Sequence, residues 1–516
     1  MSEWSAGYVS ELGYTYGYYR ELNPNYIPYS LALRGYAAPK VETALELGFG
    51  QGISVNFHAA GSDVDWWGTD FNPSQASFAS ELSRASGSAM ELFDDSFEDF
   101  AARSDLPNFD FIGLHGIWSW ISDCNRSVIV ELLRKKLNVG GVLYISYNTL
   151  PGWSGFAPLR HLMTLHAEVL GSQGTGIVNR IDDAIDFAEK VLSCDPKYVA
   201  AFPAATDRVN ALKKHSKHYL AHEYFNRDWH PMHFATMSDW LSEAKLEYAG
   251  PADFLSHVDT INFTEEQQSL LGELTDPKFR ESVKDFVLNQ MFRRDYWVKG
   301  LRRLNSLDQQ DVLEKQKIIL VTPPKNIKLK VKGALGEADL HKEIYSPVIE
   351  SLASHEAHSL QNMFDQVNRT NPELNASFPQ ILQAATVLVG IGHAEIAQEN
   401  ALAKTSRERS AELNEHLRKK ASASGDIGFL LSPVTGGGIA VNRIDQLFLQ
   451  LIKEGSDVSA QALTQGVWQI LQRQNQRLLK KGKELESEDE NLAELEGQAH
   501  LFIDEKLEVF RKLNVL

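Results

Sequence analysis

Three glycines and one aspartate have the types and spacing to do chemistry. Gly48, Gly50 and Gly52 lie in Glu46-Leu47-Gly48-Phe49-Gly50-Gln51-Gly52. Thr43-Ala44-Leu45 before them is short and apolar enough for a buried strand, and Ile53 to Ala60 after them has helical spacing. The glycines therefore occupy a strand-to-helix turn, where missing side chains let a ligand approach the backbone and the helix N-terminus offers unpaired N–H groups. Asp70 ends the next strand-like run, Asp65-Trp66-Trp67-Gly68-Thr69-Asp70. An acid about 20 positions beyond the glycines, at the end of a second strand, suits the two hydroxyls of a ribose. NAD sites share this order, so it does not choose the cofactor. However, the third glycine follows the second by two positions, whereas the dinucleotide fingerprint needs three. A purely structural loop is the plainer alternative.

The elements that must position these residues read as repeated strand–helix units over residues 43–147. After the second strand come a helix over 73–86, with Pro73 in its first turn, and a short strand near Glu91-Leu92-Phe93. Asp94-Asp95-Ser96-Phe97 closes that strand. Asp95 and Ser96 suit either an adenine contact or an acidic helix N-cap, Ser96 followed by Asp99. Phe109 to His115 is a buried strand, with Ile117-Trp118-Ser119-Trp120-Ile121 at its carboxyl end. A helix over 126–137 ends at Gly140-Gly141, and Val142 to Tyr147 is a further strand. Such alternation predicts a parallel sheet with helices on both faces and a ligand at its carboxyl edge. Asn148 to Trp153 continues from that edge, so His115, Trp118, Tyr147 and Trp153 are candidate walls of an acceptor pocket. A hydrogen-bonded core histidine is the alternative for His115.

Length and composition bound the rest. At 516 residues the chain is too long for one ordinary domain. No run approaches the roughly 18 apolar residues needed to span a bilayer, and no secretory signal is visible at the N-terminus. Two cysteines, Cys124 and Cys194, rule out a disulfide framework and a cysteine-rich zinc site. A cytoplasmic protein without a metal is expected. The net charge of −17 argues against broad nucleic-acid binding and is compatible with a lysine-rich partner.

Beyond 153 the pattern is helical and loop-like to about 228, with segments near 157–171, 176–193 and 206–219. A helix at 236–244 then leads into a strand at 246–250, and Phe292 to Gly300 alternates enough for a closing strand. Residues 154–228 are thus an insertion between strands of the first sheet, and 229–300 complete that sheet. Lys325 to Lys332 alternates lysine with apolar residues, as in a lysine-guarded edge strand. Residues 343–396 read as three helices, 402–420 as one, 427–441 as a glycine-turn hairpin, and 443–453 and 458–482 as helices. The boundaries expected are 1–153, 154–228, 229–300, 301–400 and 401–516, the last winged-helix-like.

Four stretches resemble one family. They are Gly13 to Tyr19, Glu46 to Gly52, Ser146 to Trp153, and His222-Glu223-Tyr224-Phe225-Asn226. They are similar to bacterial class I S-adenosylmethionine (SAM) methyltransferases that carry a methyltransferase regulatory domain, among them rickettsial lysine methyltransferases of an outer-membrane protein. The resemblance implies a Rossmann-like α/β fold, SAM as cofactor and a homodimer. It implies that Gly48, Gly50 and Gly52 face the methionine portion, Asp70 the ribose, and Asp95 or Ser96 the adenine side, with Glu46 and His115 also among the cofactor contacts. The tyrosine-rich stretch Tyr8 to Tyr36 is either an aromatic clasp or a lid whose Tyr16 and Tyr18 meet a sulfonium by cation–π attraction. The fourth strand ends in Leu114-His115-Gly116-Ile117-Trp118 instead of Asn/Asp-Pro-Pro-Tyr, which disfavours amide and base N-methylation. Methyl transfer to a protein lysine is the expectation. A small-molecule acceptor and a non-catalytic SAM-binding scaffold are the alternatives.

Overall fold

A computed structural model describes residues 15–171 and 176–516. Tyr8, Gly13 and Tyr14 of the tyrosine-rich stretch lie outside the described residues.

The sheet forms as alternation demands. Strands β1 (Thr43–Leu47), β2 (Asp65–Thr69), β3 (Met90–Phe93), β4 (Phe109–Leu114) and β5 (Leu137–Asn148) are joined by β6 (Leu246–Pro251) and β7 (Phe292–Lys299). Their order is β3-β2-β1-β4-β5-β7-β6. The first five pair in parallel, with Leu45 opposite Trp67 and Ile112, and Gly113 opposite Tyr144. β7 runs antiparallel to β5 and β6, with Tyr147 opposite Arg293. The order reverses between β1 and β4, and such a switch opens a crevice at the carboxyl ends. Helices α1 (Ile27–Leu33), α2 (Ile53–Gly61), α3 (Pro73–Ser86), α4 (Phe97–Ala102) and α5 (Asp123–Lys136) cover the sheet. Its faces bury two apolar clusters, one around Phe111, Tyr144 and Tyr296, the other around Ile112, Trp118 and Trp297.

Within the sheet domain a boundary differs from expectation. Gly140-Gly141 does not stop α5; the helix ends at Lys136 and β5 begins at Leu137. The register slips between Phe109 opposite Leu137 and Phe111 opposite Val142. Gly140, at φ +85°, absorbs the extra length as a bulge.

The insertion comprises α6 (Ala157–Val169), α7 (Ile177–Ser193), α8 (Lys197–Ala201), α9 (Ala204–Leu212) and α10 (Lys217–Tyr224). It packs on its own core of Met163, Ile181, Ile185, Val209 and Leu220. Its neck is narrow: Leu150 N–H donates to Met232 O at 3.1 Å, and Met232 N–H to Asn148 O at 3.0 Å. The chain returns to the sheet through α11 (Phe234–Ser242).

In the second half, Lys317–Leu320 pairs antiparallel with His358–Ser359 and Ala394–Ala397, and three helices pack there: Lys342–Ser351, Leu360–Thr370 and Phe378–Gly390. The lysine-alternating strand is shorter than expected, Lys330–Gly333 paired with Gly336–Asp339, because Pro324–Asn326 forms a 3₁₀ turn. The helix expected over 402–420 breaks into Asn400–Thr405 and Arg407–Ala421. Hairpin Phe429–Ser432/Gly437–Ala440 and helix Arg443–Lys453 form where expected. The helix expected over 458–482 stops at Arg473, since Asn475 takes a left-handed φ of 54°; a small hairpin follows. Helix Glu488–Leu501 was masked in the sequence by its acidic start, which a Ser487–Glu490 capping box turns into a helix signal. Among the described residues no helix is long and apolar enough to cross a membrane.

Candidate functional site

A cavity of about 300 Å³ opens at the carboxyl ends of β1, β2 and β4. β1 delivers Glu46, which is 3% exposed. Among the described residues its Oε2 has no partner, and burial first, then the Asp70 carboxylate, pushes its pKa up to about 8. It is therefore largely a neutral acid at pH 7, held beside the glycine turn.

Asp70 leaves β2 and reaches back to that turn. Its Oδ2 accepts from Gly50 N at 2.8 Å, and its Oδ1 accepts from Asn72 N at 3.0 Å. The Gln75 amide reaches the two oxygens at 3.0 and 3.2 Å. Burial pushes Asp70 up to about 6 against the two backbone donors. Asp70 lines the cavity, where a ligand hydroxyl would share its oxygens with the Gln75 amide. Gly48 and Gly50 line the cavity, but Gly52 does not. Gly52 is the left-handed N-cap of α2, and a Cβ there would come within 2.5 Å of Ala79 Cβ. Its task is to let α2 pack against α3.

Asp95 and Ser96 reach the cavity between β3 and α4. Asp95 pairs with Arg103 at 3.2 Å, and Arg103 lies over the Phe93 ring at 3.8 Å. Ser96 also caps α4, accepting from Asp99 N at 3.2 Å. The two sequence readings of Ser96, cap and cavity wall, coexist in one residue.

His115 follows β4 and lines the cavity. Tyr144 Oη lies 2.8 Å from its Nδ1, and the Tyr19 ring stacks on it at 3.6 Å. Burial, then the Arg294 charge, pushes its pKa down to about 3. The imidazole is neutral throughout the physiological range.

The other expected pocket walls lie elsewhere. Trp118 is fully buried against Trp240, and its carbonyl accepts from Arg126. The segment Trp118–Trp120 is a 3₁₀ turn, whose repeat of three residues puts Ile117 and Trp120 on the cavity side instead. Tyr147 faces the opposite side of the sheet from Tyr144, Ser146 and Asn148, as period-2 alternation requires. It is buried and donates to Asp295 Oδ2 at 2.8 Å. Trp153 anchors the insertion: its Nε1 donates to Met291 O at 2.9 Å, and Trp229 and Arg208 pack on its ring.

The lid expectation is shifted by one residue. Thr15, Gly17 and Tyr19 line the cavity. Tyr16 packs on Phe78, and Tyr18 on Phe57 and Phe429. An extended segment alternates faces, so choosing the wrong parity exchanges wall for clasp.

Sequence reasoning also missed part of the far wall: His222, Glu223, Asn226, Arg227 and Asp228, at and beyond the end of α10. Trp120 Nε1 reaches Glu223 O at 3.5 Å. The run His222 to Asn226 was visible as a family stretch, but nothing in it states that α10 folds back over β4.

This sheet order, the reversal between β1 and β4, and the acid after β2 beside a glycine turn have the form of a class I methyltransferase. Comparison with known proteins agrees. Residues 216–299 match the family described as "Predicted methyltransferase regulatory domain". An uncharacterized protein of Synechocystis is 37% identical over 517 residues, covering 99% of each chain. An uncharacterized protein of Rickettsia prowazekii is 27% identical over 318 residues, 60% of this chain and 56% of its own. The structure of PKMT2 from Rickettsia typhi covers 98% of this chain and 99% of its own with a TM-score of 0.68 at 17% identity. The same protein in complex with AdoHcy gives 0.68 at 18%. The chain belongs to the same family as the Synechocystis relative, with the class I methyltransferase fold and, over residues 216–299, the predicted methyltransferase regulatory domain.

Proposed function

We propose that this methyltransferase moves a methyl group from SAM to the side-chain amine of a protein lysine. One observation carries the cofactor part: Gly50, Asp70 and the Oε2 of Glu46, unpartnered among the described residues, converge on one wall of the cavity. This set fits SAM. The backbone of Gly48 and Gly50 leaves room for the methionine portion. Glu46 meets its ammonium, Asp70 accepts from the ribose, and Asp95 and Ser96 flank the adenine. The likeness to PKMT2, which has been solved with AdoHcy, supports this reading. When bound, SAM supplies a methyl already activated on a sulfonium, so the protein's work is alignment and exclusion of water.

The acceptor part rests on charge and rings. Away from the glycine turn the wall carries Glu98, Glu223 and Asp228 against Arg227, a surface that draws in a cationic side chain. A lysine amine, with a free pKa of about 10.4, attacks only when neutral. Desolvation between Tyr19, Trp120 and His115 favours that form. With its pKa pushed down to about 3, His115 is far too weak a base to take the proton. It serves as a wall held in place by Tyr144 and Tyr19.

The same proposal includes a cytoplasmic site of action and a homodimer through the insertion, where Leu165, Val169, Leu170 and Phe202 are exposed. It divides the chain near residues 153, 228, 300 and 400, with a winged-helix-like last segment. Calorimetric titration with SAM and, separately, NAD tests the cofactor, with binding of SAM alone expected. A labelled-methyl screen of lysine-rich proteins against small molecules then tests the acceptor. Label on small molecules alone overturns the lysine assignment, and sedimentation velocity tests the dimer.

A further inference from the structure

The strip from Thr15 to Arg20 has two faces, and they belong to different parts of the chain. Its odd-numbered residues, Thr15, Gly17 and Tyr19, line the cavity. Its even-numbered residues face away from the cavity: Tyr16 packs on Phe78 of α3, Tyr18 is held both by α2 and by the C-terminal half, and Arg20 is held by the C-terminal half. The Tyr18 ring packs on Phe429 at 5.6 Å as well as on Phe57. Arg20 donates to Val389 O at 2.8 Å and Gly390 O at 2.9 Å, the last carbonyls of helix Phe378–Gly390, and pairs with Glu395 at 3.5 Å. Just beyond, Asn23 donates to Thr435 O and Gly436 O, both at 3.3 Å. These bonds span more than 350 residues of sequence.

The grip is tight enough to admit no extra atom. A Cβ on Gly438 would come within 2.9 Å of both Tyr18 Cγ and Phe57 Cδ2, and one on Gly437 within 2.3 Å of Tyr18 Oη. The cavity face of the same strip is equally committed. Tyr19 N donates to Ser54 Oγ at 2.9 Å, on the first turn of α2, and its ring covers His115. A displacement of Tyr18 or Arg20 therefore moves Tyr19 against the glycine-turn helix and the β4 end.

We propose that the C-terminal half sets the cofactor affinity of the cavity through this strip. Tyr18 and Arg20 are positioning residues for Tyr19, and hairpin Phe429–Ala440 is part of the cofactor site without touching it. The inference rests on the cofactor reading above. On this account the C-terminal half is a standing support of the catalytic cavity, and a partner that pulls on the hairpin changes how tightly the cofactor is held.

The test is calorimetric binding of S-adenosylhomocysteine to the full-length protein and to Tyr18→Ala and Gly438→Val, with the thermal midpoint of each ligand-free protein measured alongside. The expected result is a Kd raised by about tenfold or more in both variants. Tyr18→Phe, which keeps the ring, is expected to keep the affinity. If either variant fails to fold, Arg20→Gln provides a milder cut of the same strip, with a smaller loss expected. Lowered midpoints with Kd within about twofold of the parent would reduce the grip to simple structural support and overturn the proposal. No binding by the parent protein would instead overturn the cofactor reading on which it rests.

Discussion

The carboxyl ends of β4 and β5 are neighbours in one sheet and both run into aromatic segments. The β4 end opens: His115, Ile117 and Trp120 face a cavity, and Gly116 N is held by Ser146 Oγ at 2.8 Å. The β5 end is closed. Thr149 Oγ1 donates to Gln290 O at 2.7 Å, Gly152 N to Gln290 O at 3.0 Å, and Trp153 Nε1 to Met291 O. Beneath it Arg293 is 7% exposed and bonded to Glu281, Asp285 and Asp295. The difference comes from the neighbours. β4 is flanked at its end by glycine-turn backbone from β1, which leaves space. β5 is flanked by β7, whose antiparallel entry brings a turn and a charged network up against it.

That contrast predicts two separable sets of effects. The largest is on the closed side. Arg293→Ala leaves buried Asp285 and Asp295 without their cation and Glu281 with Lys284 alone, and stability is expected to fall by about 3–5 kcal/mol in denaturant unfolding. The protein that remains folded is expected to bind SAM as the parent does; a parallel loss of affinity would break the division between the two ends.

On the open side, Asp70→Ala is expected to weaken SAM by about 1.5–3 kcal/mol, the worth of hydrogen bonds to a charged acceptor, with the fold retained by circular dichroism. Unchanged affinity would remove Asp70 from the ribose role. Glu46 gives a smaller, pH-dependent effect. Its pKa near 8 in the free protein falls when a cation binds beside it, so binding releases a proton. Affinity is expected to rise with pH and level off above about 8, by up to roughly tenfold between pH 7 and that plateau, and Glu46→Gln to flatten the rise. Calorimetry in buffers of different ionisation enthalpy reads the proton directly. The smallest effect is Tyr147→Phe, which removes one buried bond to Asp295 and is expected to cost about 1 kcal/mol. Methyl transfer at saturating acceptor should be unaffected; a lost turnover would return Tyr147 to the acceptor wall.

The glycine turn, Asp70 and every strand of the main sheet were legible because each is local: a short apolar run, a turn residue, an acid at a fixed offset. Trp118 and Tyr147 were placed at the cavity by their position at the carboxyl edge, and Tyr16 and Tyr18 by the lid reading; each lies one step of local geometry away from it. A 3₁₀ turn, a strand's alternation and an extended strip's parity each decide a face, and a one-residue error reverses it. His222 to Asp228 failed for another reason. Their place over β4 is fixed by how the insertion packs as a body, through Trp153, Trp229 and Arg160, and no local pattern encodes that.

The narrow neck of the insertion has an evolutionary consequence. Residues 150–231 leave and re-enter the sheet between Asn148 and Met232, where a bridge joins Thr149 to Met232, and carry a core of their own. Such a unit can diverge, lengthen or be exchanged while the glycine turn, Asp70 and the strip over them stay as they are. Because His222 to Asp228 hang from its far end, a change in how the insertion packs would re-aim one wall of the cavity while its residues stay the same. Relatives are then expected to differ most between Ala157 and Leu212, ahead of the part that matches the regulatory-domain family at residues 216–299, and to share the glycine-turn end. The neck lets new acceptors be met by changes within the insertion, with no redesign of the machinery that holds the methyl donor.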